Sequence, residues 1–383
     1  MKVKLGIDNL LEGDSYKGVK IGLLTNSTGI DSNLRINVDV LLESGFNLTK
    51  LFGPEHGITG AAPDGVGVDN NVDPRFGLPV FSLFGEIMRP TPEMLDGIDV
   101  FFYDIQDVGL RFYTYIYSLA YCMEECAKNG IKFVVLDRPN PLSNRVKGPT
   151  IVPSLESFVG GYGLALRYGM TVGELARYYN KTFDMGVDLE VIPMKDYNRD
   201  MYFDDTGHQW NTPSPNIPSF EHALLYEGFC LFEGTSLSMG RGTVHPFKYI
   251  GAPWIDSKFL YEEVSRMNPP GVAFRERVFI PAAFRLANHS CAGLEFHVTD
   301  KREIRALELA LDIIASVRKN YPDHFEWDLQ YHNAGGRYHF DLLMGKEIYR
   351  KSIEEGATSK DLESLWKDEE RDFAELIREF ILY

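Results

Sequence analysis

The chain has 383 residues, 44% hydrophobic and 25% charged, with a formal net charge of −16. That length holds two or three domains and a large buried core. The acidity excludes unaided binding to nucleic acid or an anionic membrane surface, because both need a basic face, but it leaves room for a local basic pocket.

The first half alternates strand-like and helix-like segments. Residues 19–25 form a short apolar strand followed by Asn26-Ser27-Thr28-Gly29. Residues 38–42 have helical spacing, and 48–52 are a second strand ending in Gly53-Pro54-Glu55-His56-Gly57. Residues 79–84 give a third strand, followed by Gly85-Glu86, and Pro92 lies just inside a helix start. Residues 99–105 are a fourth strand running into Gln106-Asp107, and a long helix over 113–128 closes at Asn129-Gly130. A fifth strand, 132–136, ends in Asp137-Arg138-Pro139-Asn140-Pro141; a helix opens near Thr171, and 189–192 is a further strand. Residues 204–218 read as loop, as does the Gly- and Ser-rich stretch 233–247 around Arg241, where a domain boundary is placed. Beyond it, strands at 278–284 and 291–298 and helices at 303–320 and 362–381 describe a different, smaller unit.

This order predicts an α/β fold: a Rossmann-like, doubly wound, mostly parallel sheet over 1–236, with a smaller α+β C-terminal domain over 237–383. In such sheets ligands bind beyond the carboxyl ends of the strands. Asn26, Glu55, Glu86, the run Asp104 to Asp107, and Asp137-Arg138 all fall there.

The segment 51–57 places a carboxylate beside an imidazole, with Gly53-Pro54 before the pair and Gly57 after it favouring a tight turn. Glu55 and His56 are therefore catalytic candidates, against the plainer reading of two exposed turn residues. Asp104, Gln106 and Asp107 share the densest polar cluster with Arg111, Tyr113 and Tyr115. Arg111 at a helix start is suited to an anion, and the tyrosines to a sugar face; an Asp107–Arg111 pair that merely fixes the turn fits equally well. Arg138 and Asn140 sit in a proline-stiffened loop, and Arg241 in a flexible glycine-rich one.

Several chemistries are missing. No G-x-G-x-x-G follows the first strand, and there is no Walker loop, G-x-S-x-G elbow or H-E-x-x-H. His332 and His339 read as surface or packing residues, and neither a metal nor a cofactor is expected. Cys122, Cys126, Cys230 and Cys291 are too few for a disulfide framework; the first two, one helical turn apart, read as core packing. No apolar run of about 18 residues occurs, so no membrane span is expected. The start is too polar for a secretory signal, which means a cytoplasmic protein if the chain is the full product, and a periplasmic or secreted one if a leader has been removed.

Carboxylates, arginines and aromatics around one crevice fit an enzyme cleaving an anionic sugar, and equally a sugar-binding protein. At this point the motifs 51–57, 103–115 and 137–141, then Glu233-Gly234-Thr235 with Gly240-Arg241-Gly242-Thr243, come in an order that resembles the exo-β-N-acetylmuramidases of the NamZ type. The resemblance covers nearly the whole chain. It implies release of terminal N-acetylmuramic acid from the non-reducing end of peptidoglycan fragments, in a cleft of the first domain, with peptidoglycan-derived saccharides as partners. Glu55 would be the acid, His56 its orienting neighbour, Asp104 or Asp107 the second group, and Arg111, then Arg138 and Arg241, the partners of the lactyl carboxylate. A non-catalytic muropeptide-binding protein, or a deacetylase or esterase on the same scaffold, remain the alternatives.

Overall fold

The structure is a computed structural model that describes residues 2–63, 65–67, 70–329 and 336–383, so His332 lies outside the described residues. The first strands in chain order are β1 (Lys20–Thr25), β2 (Asn47–Gly53), β3 (Asn71–Val72), β4 (Pro79–Ser82), β5 (Val100–Asp104) and β6 (Lys132–Leu136). They are followed by β7 (Lys147–Thr150), β8 (Ala165–Arg167) and β9 (Leu189–Ile192).

Seven strands form one sheet in the order β3-β4-β2-β1-β5-β6-β9, parallel except for the edge strand β3. Strands β1, β5 and β6 are near-continuous apolar runs because both faces of a parallel sheet are covered. Leu23, Leu51, Phe102 and Val134 from four neighbouring strands share one core with Ile7 and Leu41. From β1 the chain steps outward to β2 and β4, then returns to the other side of β1 with β5, β6 and β9. The reversal puts a topological switch point between the carboxyl ends of β1 and β5. The helix Tyr115–Lys128 carries Cys122 and Cys126 on its buried side, as packing residues.

The chain divides into two compact units that interleave along the sequence. One comprises residues 1–145, 168–218 and 374–383; the other comprises 146–167 and 219–373. One break between the units falls at 218/219, and residues 374–383 return to the first unit. Their return has a physical cause. Arg177 donates to the carbonyls of Phe380 and Ile381, the Leu382 N–H donates to Glu174, and the Tyr383 hydroxyl donates to Asp137 at 2.6 Å.

The second unit contains a three-stranded antiparallel sheet, β10 (Tyr249–Ala252), β11 (Val272–Phe279) and β12 (Cys291–Val298), in the order β10-β12-β11. Strand β11 begins at Val272 and stops at Phe279, earlier at both ends than the 278–284 expected. The helices Phe220–Phe229 and Ala306–Asn320 pack closely enough that a Cβ on Gly228 would lie 2.0 Å from the Ala306 carbonyl oxygen, so only glycine fits. His339 is buried in this unit beside Glu233, a packing position and not a surface one.

Candidate active site

The turn after β2 is built by its own residues. The Gly57 N–H donates to the Pro54 carbonyl, and His56 adopts a left-handed φ of 72°, which costs energy for a residue with a Cβ. The turn is held by the His56 ring, whose Nδ1 lies 2.7 Å from the Ala62 carbonyl oxygen, while the Ala62 N–H donates back to the His56 carbonyl. The buried imidazole also lines a pocket of about 250 Å³ shared with Ile58, Asn71, Asp73, Phe81 and Ser82.

Glu55 is half-buried and its two oxygens are engaged separately. Oε2 accepts the Thr114 hydroxyl at 2.8 Å, and Oε1 accepts the Gly65 N–H at 3.1 Å. Thr114 ends the turn after β5, so the loops of β2 and β5 meet at this carboxylate across the end of β1.

Asp104 ends β5 and is completely buried. Its Oδ1 accepts Arg138 Nε at 2.6 Å and its Oδ2 accepts Asn37 Nδ2 at 2.8 Å. Arg138 also donates to the Ile30 carbonyl. The pair therefore ties the loops after β1, β5 and β6 together. Asp107 is also buried, and its Oδ2 accepts the Gly109 N–H at 2.6 Å and the Tyr168 hydroxyl. Burial pushes the Asp107 carboxyl up to about 6, against the opposing pull of those donors. The turn it makes needs Gly109 at φ 81°, where a Cβ would strike the Asn140 side chain.

The remaining expected residues are largely spent on the same scaffold. Asn26 Oδ1 accepts from the Thr28 N–H and hydroxyl, while its buried Nδ2 has no hydrogen-bond partner among the described residues. Gln106 donates to the carbonyls of Asp107 and Pro139, and Asn140 donates to that of Met170. Tyr113 and Tyr115 pack edge to face at 4.9 Å, and the Tyr115 hydroxyl donates to the Pro213 carbonyl. Arg111 is wholly buried, with its carbonyl accepting the Tyr117 hydroxyl. Glu86 is exposed on the loop after β4. Arg241 belongs to the second unit, where its Nε and Nη2 both donate to Glu233 Oε1 at 2.9 and 2.7 Å. Burial works to raise the Glu233 carboxyl, but Arg241 and His339 outweigh it and hold it down at about 2.

Sequence reasoning missed Thr114, Gly65 and Tyr168. Thr114 lies inside the motif 103–115, yet nothing local shows that it faces a residue 59 positions earlier. The loop 207–218 was also missed as a wall: Asn211 donates to the Ser27 carbonyl, and Pro213 receives Tyr115.

Two family models, described as exo-β-N-acetylmuramidase NamZ N-terminal and C-terminal regions, match residues 21–221 and 224–383. The chain belongs to the NamZ exo-β-N-acetylmuramidase family. A curated relative, the peptidoglycan β-N-acetylmuramidase NamZ of Bacillus subtilis (strain 168), is 42% identical over 386 aligned residues, covering 100% of this chain and 92% of the relative. Two crystal structures of DUF1343 family proteins from Bacteroides fragilis NCTC 9343 superpose over 100% of this chain and 99% of theirs. Their TM-scores are 0.91 and 0.80, at 33% and 29% identity. The α/β architecture and the NamZ resemblance read from the motifs are thus shown. Among the described residues, no helix is long and apolar enough to cross a membrane.

Proposed function

We propose that this chain is an exo-acting glycosidase that releases terminal N-acetylmuramic acid from the non-reducing end of peptidoglycan fragments. The observation that carries the proposal is the full-length NamZ match with Glu55 as a half-buried carboxylate at the strand ends, where a sugar can reach it. Glu55 protonates the leaving oxygen while positive charge builds on the sugar ring. His56 fixes the turn that presents it.

Asp104 is a poor second group, because both its oxygens hold buried partners. Asp107 is tied to Tyr168 and Gly109. The substrate's own acetamido oxygen therefore attacks the anomeric carbon as the glycosidic bond breaks, and water then opens the resulting oxazoline while Glu55, now a carboxylate, takes its proton. A lactyl carboxylate would have to compete with Asp104 for Arg138 and with Glu233 for Arg241. The wholly buried Arg111 acts by setting the cleft wall.

The test is turnover of para-nitrophenyl β-N-acetylmuramide beside the β-N-acetylglucosaminide, in wild type and Glu55→Gln. Turnover of the muramide alone, lost in the variant, supports the reading. Binding of muropeptides without any turnover would favour a carbohydrate-binding protein, and release of acetate without sugar a deacetylase.

A further inference from the structure

The helix Tyr115–Lys128 begins without the usual side-chain cap. Thr114 occupies its N-cap position, but its side chain makes no capping hydrogen bond. An N-cap threonine normally accepts a backbone N–H of the first turn and stabilises the helix by about 1 kcal/mol. Thr114 is already helical in backbone, at φ −72° and ψ −19°, rather than extended as a capping residue is, and its hydroxyl donates instead to Glu55 Oε2 at 2.8 Å. The start of this helix is anchored independently, by the Tyr115 hydroxyl on the Pro213 carbonyl and the Tyr117 hydroxyl on the Arg111 carbonyl, both at 2.5 Å. The helix thus keeps its place without the cap, and its positive end lies next to Thr114.

We propose that Thr114 is a positioning residue for Glu55, holding one carboxylate oxygen while the Gly65 N–H holds the other. The proposal rests on Glu55 being the acid of the reaction proposed above. A glutamate has three side-chain torsions, and a proton donor must meet the leaving oxygen within hydrogen-bond reach. Two donors on opposite oxygens, from different loops, select one rotamer. Each oxygen keeps a further lone-pair direction for substrate. Thr114 touches neither the sugar nor the leaving group in this scheme. It acts through Glu55, so its loss lowers the rate of the bound complex more than substrate affinity.

The experiment compares wild type, Thr114→Val and Thr114→Ser on the chromogenic muramide. Valine keeps the shape and removes the donor. Thr114 donates to the carboxylate that forms as Glu55 gives up its proton, so losing that charge-assisted hydrogen bond predicts a fall in kcat of roughly 10- to 100-fold in Thr114→Val, with KM within about twofold. Thr114→Ser, which restores the hydroxyl, is expected to recover most of that loss. Wild-type kcat in Thr114→Val, or a serine variant as slow as the valine one, overturns the proposal. A second readout needs no turnover: the Gly65 amide resonance should move in Glu55→Gln and in Thr114→Val but stay in Thr114→Ser. If wild type fails to cleave the muramide, the functional reading falls while this resonance still decides the contact. An amide unmoved in Thr114→Val would refute the positioning role.

Discussion

Asp104 and Arg138 meet at 2.6 Å at the ends of adjacent strands, and neither side chain is more than 3% exposed. Two charges this deeply buried are stable only as a hydrogen-bonded pair, and Asn37 and the Ile30 carbonyl complete the set. The pair brings three strand-end loops into one piece, which makes it part of the frame of the cleft. Asp104→Ala leaves the Arg138 cation uncompensated, and the expected loss of stability is about 3–5 kcal/mol. Urea unfolding measures it. An apolar double replacement, Asp104→Leu with Arg138→Met, should regain part of the loss. A single Asp104→Asn that loses activity yet unfolds like wild type would return Asp104 to the chemistry.

Two other buried carboxylates make stability depend on pH. Burial pushes Asp137 up to about 7, although the Tyr383 hydroxyl, the Gly173 N–H and the Thr171 hydroxyl all donate to it. Glu174 nearby adds like-charge repulsion and is itself raised. Asp107 lies at about 6. An acid whose folded value is raised binds more protons folded than unfolded, so stability falls as pH rises from the unfolded value toward the folded one. For these two groups the window runs from about pH 4 to about pH 7, and together they are worth on the order of 7 kcal/mol. Melting temperature should therefore decline between about pH 4 and about pH 7. Asp137→Asn, which stays neutral, should flatten that decline; an unchanged slope would show that Asp137 does not carry it.

The alternating strands and helices were legible because buried parallel strands are continuous apolar runs and the helices between them are amphipathic. The polar residues at their ends stand out by contrast. Strand β11 was partly hidden because Arg275, Glu276 and Arg277 stand together in its middle and break the alternation. The partners of Asp104 come from 67 and 34 positions away, and no local pattern encodes them. The same holds for Tyr168 on Asp107 and for the return of 374–383, which Arg177, Glu174 and Asp137 together hold. Residue types at the site were readable; which of them were spent on one another was not.

Arg241 gives the sharpest separation between recognition and architecture. From the glycine-rich motif it reads as a clamp for a substrate carboxylate. In the fold its guanidinium gives two nitrogens to Glu233 and lies over the rings of Phe247 and Phe284. Glu233 is buried, and the low value of its carboxyl requires a cation beside it. Arg241→Met should therefore cost stability first, about 3–5 kcal/mol, because it strands a buried carboxylate. Adding Glu233→Gln to that variant removes the stranded charge and should restore most of the stability. The measurement is denaturant unfolding of the two variants, with the muramide-to-glucosaminide ratio of kcat/KM read alongside. A lactyl clamp makes the opposite forecast: Arg241→Met would unfold normally, lose only the preference for the muramide, and gain nothing from Glu233→Gln. The double hydrogen bond to Glu233 and the flanking rings leave the guanidinium little freedom to turn toward a ligand, so stability is the quantity expected to move.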